Sequence, residues 1–323
     1  MNTALVIGVT DGFGLHTATA LRATGWQVRA LLREPDALPA CLRGIDVVAG
    51  SAGSIGDVRQ AATGADVIVF GANPPHPRWY AQAVPALDTA ATVAETMGLT
   101  LVFPASLQVY DPSDGNVFDE DSRMHPLSSN GSIQQRMESR LELASRRGAR
   151  IIALRTGDFI GAHSGYGWSG ALLKPVRRGY RLLHPGPAGH VHTWANLPDV
   201  ARTASCLLAH REELPGFATF QFSGYRSSFW QLAEAVSVAS GKAVELRPFP
   251  RRLLNPLSPS VPLARELGEM RYLWEHDIHL DDARLRAVLD EVPHTPLPQA
   301  LTAAGLVVPA VERRLHWSYV QTT

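Results

Sequence analysis

What most restricts the folding of this chain is a rhythm in its first half. Short β-branched apolar runs alternate with longer stretches of helical spacing, and most of those stretches stop at a glycine. The runs fall at about 4–8, 27–32, 45–49, 66–70, 100–104 and 150–155. Between them, Phe13 to Thr24, Ser54 to Thr63, Tyr80 to Met97 and Ser132 to Arg147 carry apolar residues at helical spacing. Gly25, Gly64, Gly98 and Gly148 follow, where a left-handed turn closing a helix favours a residue without a Cβ. Strand, crossover helix and strand repeated in this way predict an α/β chain with a doubly wound parallel sheet.

After Arg155 the alternation loosens into a Gly-, His- and aromatic-rich stretch, 156–195, before a helix at about 197–211 and a strand at about 217–222. The expected organisation is a dinucleotide-binding domain over 1–160, to which 191–223 returns, and a smaller α+β lobe over 161–323 that holds a small-molecule substrate. Pro248 to Pro262, rich in proline and basic residues, reads as an extended connector or lid. A length of 323 residues suits two such lobes. Lys plus Arg and Asp plus Glu number 30 each, so no net field draws nucleic acid or anionic lipid. No run reaches a membrane-spanning length, and the N-terminus lacks the pattern of a signal peptide. Cys41 and Cys206 stand alone, far apart and without metal-ligand neighbours, which suits a reduced cytoplasmic protein with no metal site.

The first strand runs into Gly8-Val9-Thr10-Asp11-Gly12-Phe13-Gly14, and an apolar helix follows. A pyrophosphate needs bare backbone amides at a helix N-terminus, so Gly8, Thr10, Asp11, Gly12, Phe13 and Gly14 are the expected cofactor contacts. The plain alternative is a tight turn with no ligand. At the end of the second strand an acidic residue would bind the ribose hydroxyl of NAD. Leu32 and Arg33 stand there instead, and a guanidinium favours the 2′-phosphate of NADP(H), unless Glu34 neutralises it locally.

These residues resemble the extended, epimerase/dehydratase-like branch of the short-chain dehydrogenase/reductase superfamily. The resemblance rests also on Val67-Ile68-Val69-Phe70-Gly71-Ala72-Asn73, Ser106-Leu107-Gln108-Val109-Tyr110, Ala153 to Gly161 and Leu197-Pro198-Asp199-Val200-Ala201. It implies a Rossmann fold, with Gly71, Ala72 and Asn73 against a cofactor ribose and Asp158, Phe159 and Ile160 near the nicotinamide. Ser106 would hold the substrate oxygen. Many such proteins dimerise through the helix that 132–147 would form, which makes a homodimer an expectation by analogy.

The resemblance breaks at two places. Asp11 stands where the turn commonly carries glycine, and its carboxylate must point away from a pyrophosphate or cap the helix. The superfamily's proton donor is a Tyr followed four residues later by a Lys, but Asn130-Gly131-Ser132-Ile133-Gln134 occupies that position, set by Glu138 and the helix after it. Neither Asn130 nor Gln134 exchanges a proton.

A substitute donor must come from elsewhere. Tyr110 follows Ser106 on the loop above the sheet, although an aromatic there more often packs; Lys174 could act as acid or phosphate contact, although a solvated lysine is commoner; His192 is preferred, since imidazole changes protonation without much help, although a histidine bonded to backbone is the more frequent case. No carboxylate or Cys pattern adjoins His190 and His192, so they do not read as a metal pair. Tyr166, Trp168 and Trp194 suit a flat or apolar ligand or a lobe core, and the proline-rich loop carrying Trp79 could close over the same cleft. His192 and Trp194 occupy a region where an arginine would bind a sugar nucleotide's diphosphate. The expected activity is an NADP(H)-dependent oxidoreduction of a small organic carbonyl or related substrate with a non-standard proton donor. The alternatives are a non-catalytic NADP(H) sensor, or an epimerase or dehydratase using the nicotinamide transiently.

Overall fold

The computed structural model describes residues 1–10, 12–72, 79–160, 172–250 and 268–309, without the side chains of Trp79 and Tyr80. The strands are β1 Thr3–Ile7, β2 Gln27–Leu32, β3 Asp46–Ala49, β4 Val67–Phe70, β5 Thr100–Ser106, β6 Val117–Phe118, β7 Arg150–Thr156, β8 Asp158–Ile160, β9 Leu173–Val176, β10 Gly179–His184, β11 His192–Asn196, β12 Phe217–Gln221, β13 Tyr225–Ser227, β14 Ala243–Pro248 and β15 His279–Leu280. The helices are α1 Gly12–Ala23, α2 Ile55–Ala62, α3 Trp79–Met97, α4 Ser129–Arg146, α5 Leu197–Ala209, α6 Phe229–Ser240, α7 Arg271–Trp274, α8 Ala283–Val288 and α9 Leu297–Ala303.

Seven strands pair in parallel in the order β12-β7-β5-β4-β1-β2-β3. The order reverses between β1 and β4, which marks this as the Rossmann arrangement and puts the ligand crevice at the strands' C-terminal ends. Val, Ile and Leu fill these strands because helices cover both faces: α1 and α5 bury one, while α2, α3 and α4 bury the other. Gly25, Gly64, Gly98 and Gly148 all take positive φ, at 84°, 73°, 67° and 111°, as their place after each helix requires.

A third core belongs to the smaller C-terminal region, built on two mixed sheets, β14-β10-β9 and β13-β11-β8, and a parallel pair, β15-β6. The chain returns from it to the large sheet, since α5 packs on α1 and β12 forms the outer strand beside β7. Among the described residues no helix is long and apolar enough to cross a membrane. The connector expected over Pro248 to Pro262 begins as the end of β14, and its part from 251 onward lies outside the described residues.

His279 gives this region a pH dependence. Its imidazole is buried, Nδ1 has no hydrogen-bond partner among the described residues, and burial, helped by Arg226, holds its pKa below the ordinary 6.5. The unfolded chain therefore takes up this proton more readily than the folded one. Its stabilising contribution is complete above pH 6.5 and is lost as pH falls through the depressed folded value. Thermal melts of wild type and His279→Gln between about pH 7 and pH 5 should diverge, with the variant losing less of its midpoint on acidification.

Candidate functional site

The turn after β1 is shaped by close backbone approach. Gly8 has φ 82°, and a Cβ there would lie 2.5 Å from the Ala72 amide. A Cβ on Gly14 would meet the Gly8 carbonyl at 2.2 Å, and one on Gly71 would meet the Gly14 backbone at 2.5 Å. The ends of β1 and β4 and the first turn of α1 thus touch through glycines, and α1 opens at Gly12 beside them. A helix starting there directs its unbonded first-turn amides out of the sheet's edge, where an anion would sit. Phe13 is buried beneath this turn and Thr10 is exposed, while Asp11 and Asn73 lie outside the described residues. Arg33 follows β2 fully in solvent reach and has no hydrogen-bond or ion-pair partner among the described residues, so Glu34 does not neutralise it.

The second part of the site lies where β5, β7 and β8 end. Ser106 closes β5, half-buried, and its hydroxyl accepts from the Gln108 amide at 3.2 Å. Ser128 caps α4 by accepting from the Gly131 amide at 3.0 Å, and a Cβ on Gly131 would meet the Gln108 carbonyl at 2.2 Å. The first turn of α4, with Asn130 and Gln134, is therefore pressed onto the turn after Ser106. The Gln134 side-chain oxygen is buried there without a hydrogen-bond partner among the described residues.

Asp158 and His192 meet by sheet register. A Cβ on Gly157 would lie 2.0 Å from the Thr193 carbonyl, so only glycine lets β8 come this close to β11. The parallel pairing then sets Asp158 against Trp194, and His192, two residues back, turns Nε2 to the Asp158 carboxylate at 2.8 Å. Both side chains are buried, at 3% and 8% exposure. A carboxylate only accepts, so Nε2 carries the proton and Nδ1 presents its lone pair; Nδ1 has no hydrogen-bond partner among the described residues. His190 likewise finds a carboxylate, Asp277, at 3.1 Å. Neither partner is near in sequence, so proximity along the chain was a poor guide to what surrounds these two histidines.

The C-terminal region supplies residues to which the sequence reading gave no site role. Tyr272 on α7 donates to the Gln108 carbonyl at 3.1 Å. Burial, opposed by a hydrogen bond with Ser128 and reinforced by the Asp158 charge, pushes its phenol up to about 12. The Trp274 ring stands edge-on to His192 at 6.4 Å. Nothing local in the Tyr272-Leu273-Trp274 stretch says that it packs against a turn 164 residues earlier.

Other expected residues sit elsewhere. Tyr110 is fully buried and stacks on Phe118 at 4.4 Å; its hydroxyl donates to the Asp119 carbonyl and accepts from Arg155 and Gln221 at 2.7 and 2.6 Å. That hydroxyl has no proton to spare for a ligand, and burial raises its pKa. Lys174 is exposed on β9, opposite Arg181. Trp194 is 2% exposed, donates to the Ser227 carbonyl at 3.1 Å and borders an apolar cavity of only about 20 Å³ with Ile160 and Leu182. That volume excludes a substrate, so its ring is core here. Phe159 is half-buried beside the first core. Tyr166 and Trp168, and the side chain of Trp79, lie outside the described residues. Asp111, Asp114 and His125 bring ligand-type atoms together near the surface, held by a 3.0 Å contact between His125 and Asp114.

Residues 8–143 match the model of a family described as NAD(P)H-binding. Three solved structures align over 94% of this chain and 97% of their own. They are MoeE5 in complex with UDP-glucose and NAD (20% identity, TM-score 0.73), the UDP-glucose-4-epimerase from Stenotrophomonas maltophila with bound NAD and formylated UDP-arabinopyranose (16%, 0.74), and a short-chain dehydrogenase/reductase superfamily protein from Agrobacterium tumefaciens with bound NAD (17%, 0.70). The likeness shows the fold: this chain shares the Rossmann-type architecture of these proteins over nearly its whole length. The family match lies in its N-terminal half, so the turn after β1 and the crevice above β4 and β5 are the parts of this fold to which the cofactor expectation refers. No curated protein matches the chain at the level of sequence.

Proposed function

We propose that the chain is an NADP(H)-dependent oxidoreductase of the extended short-chain type, which acts on a small organic carbonyl and exchanges its proton through His192. The observation that carries this reading is the buried His192–Asp158 pair. The bound nicotinamide would supply or accept the hydride. Gly8, Gly12, Gly14 and Gly71 would let the pyrophosphate approach the backbone, and Arg33 would pair with the 2′-phosphate. Ser106 would hold the substrate oxygen by its hydroxyl. Asp158 would keep Nε2 protonated and steady the imidazolium that forms as Nδ1 takes up a proton. Asp158 thus acts here as the residue orienting His192, where the family resemblance alone gave it to the cofactor. Tyr272, its phenol held protonated through neutral pH, would border the same space without titrating.

A small neutral substrate suits these residues better than a nucleotide sugar, because neither His192 nor Trp194 offers a guanidinium to a diphosphate. The test is oxidation of NADPH followed over a panel of aldehydes and ketones, alongside calorimetric titration of NADPH and NADH. Tight NADPH binding with no turnover on any carbonyl would favour a sensor instead. Arg33→Ala is expected to weaken NADPH by about tenfold to a hundredfold and to leave NADH within about twofold. Equal effects on both cofactors would remove the assignment of Arg33 to the 2′-phosphate.

A further inference from the structure

The sequence contains just two lysines, Lys174 and Lys242, and the fold sets both at the small sheet β14-β10-β9. Arg177, Arg178, Arg181 and Arg247 join them. Over 173–184 and 242–248 the sequence holds these six cations and one carboxylate, Glu245, in a chain whose charges sum to zero. Tyr180 and Leu182 point into the core, so Arg181 between them points out. Register sets Arg181 directly between Lys174 on β9 and Glu245 on β14. Arg181 and Arg247 both grip Glu245, at 2.9 and 2.5 Å, and hold its carboxyl below the usual range. Arg177, Arg178 and Lys242 are exposed and have no carboxylate partner among the described residues.

Protection of an edge strand explains part of this. A charge and a proline on β9, Lys174 and Pro175, keep another strand from pairing with it. β14 is the sheet's other edge strand, where Arg247 and Pro248 serve the same purpose, but edge protection does not explain Arg177 and Arg178 at the β9–β10 turn. Nor is the arrangement stabilising by itself, since Arg177 and Arg178 stand side by side in the turn, both exposed, and like charges that close repel. An anionic surface laid across the three strands would relieve that repulsion.

We propose that this sheet face docks an acidic protein segment. Three strands at about 4.8 Å spacing and six residues at about 3.3 Å each give a face roughly 10–15 Å by 20 Å, the footprint of about four turns of helix. Nucleic acid fits less well, because the one aromatic side chain of the sheet, Tyr180, is buried and gives bases nothing to stack on. A bilayer fits less well, because Val176, at 37% exposure, is the only large apolar side chain presented and no Trp or Phe is there to insert. A neutral chain has little long-range pull, so recognition rests on contact-range pairing and weakens steeply with salt.

The test uses the full chain and a fluorescein-labelled Glu-rich helical peptide of about 15 residues, read by anisotropy at low and physiological salt. Arg177→Glu with Arg178→Glu and Arg247→Glu should weaken binding by more than tenfold, and the milder Arg177→Gln with Arg178→Gln by a smaller but measurable factor. Reversal of Arg136, Arg146 and Arg147 on α4 should leave it within about twofold, and circular dichroism checks that every variant is folded. Equal losses in the two charge-reversal variants overturn the proposal. So does single-stranded DNA, or a vesicle containing phosphatidylserine, binding this face as tightly as the peptide. The outcome is independent of NADPH binding, which the same samples report separately.

Discussion

His192→Gln is expected to lower turnover by about a hundredfold to ten-thousandfold while leaving NADPH affinity unchanged. The amide can still donate to Asp158 and fill most of the same volume, so the fold around β8 and β11 should persist. What disappears is the only group of the pair that can take a proton on one face while its other nitrogen is held. Asp158→Asn should reduce turnover less: the imidazole stays, but the carboxylate that fixes its tautomer and steadies its charge is gone. Because the Tyr272 phenol is pushed up to about 12, Tyr272→Phe should leave the pH profile of kcat below about pH 9 unchanged. Full turnover in His192→Gln, or a pH profile that changes with Tyr272→Phe, would transfer the proton chemistry to another residue.

The parallel half of the molecule was legible because strands buried on both faces read as unbroken apolar runs, and because glycines mark the end of each helix. Each strand from β1 to β5, together with β7, lies within two residues at either end of the run that foretold it. The start of α4 is three residues earlier than its apolar spacing suggests, since the cap Ser128 fixes it and not the first apolar residue. Beyond Arg155 the signal fails for a physical reason. Strands of two or three residues such as β8, β13 and β15 carry no periodicity, and what holds them is register with partners far along the chain. The same holds for the site. His192 was recognisable as a titratable residue, but its meeting with Asp158 depends on Gly157 admitting the Thr193 carbonyl, a three-dimensional fact. Tyr110 looked available because it follows Ser106, and is instead committed to three hydrogen bonds beneath the site.

Those hydrogen bonds belong to the buried network on which the largest expected stability effect depends. Arg155, at the end of β7, donates to Glu138 on α4 and to the Tyr110 hydroxyl, and both charged side chains are 3% exposed. Burial works against the guanidinium's charge, but Glu138 and Tyr110 together outweigh it and hold the pKa above the ordinary value, so the arginine stays charged inside the protein. Glu138→Gln keeps the shape and removes the compensating charge. Removing one partner of a buried pair in this way costs about 3–5 kcal/mol, a large share of the roughly 5–15 kcal/mol that holds a typical domain together. Arg155→Met should cost a similar amount, since Glu138 and the Tyr110 hydroxyl would each lose a hydrogen-bond partner. The double variant should fall well short of the sum, because neither charge is then left alone, and a double-mutant cycle in urea measures the difference. Additive losses would mean that the two side chains stabilise the protein independently. Because Arg155 is three residues before Asp158 on the same stretch of chain, and Tyr110 four after Ser106, the pair also ties both halves of the site to α4. Loosening it should therefore weaken ligand binding before it unfolds the sheet.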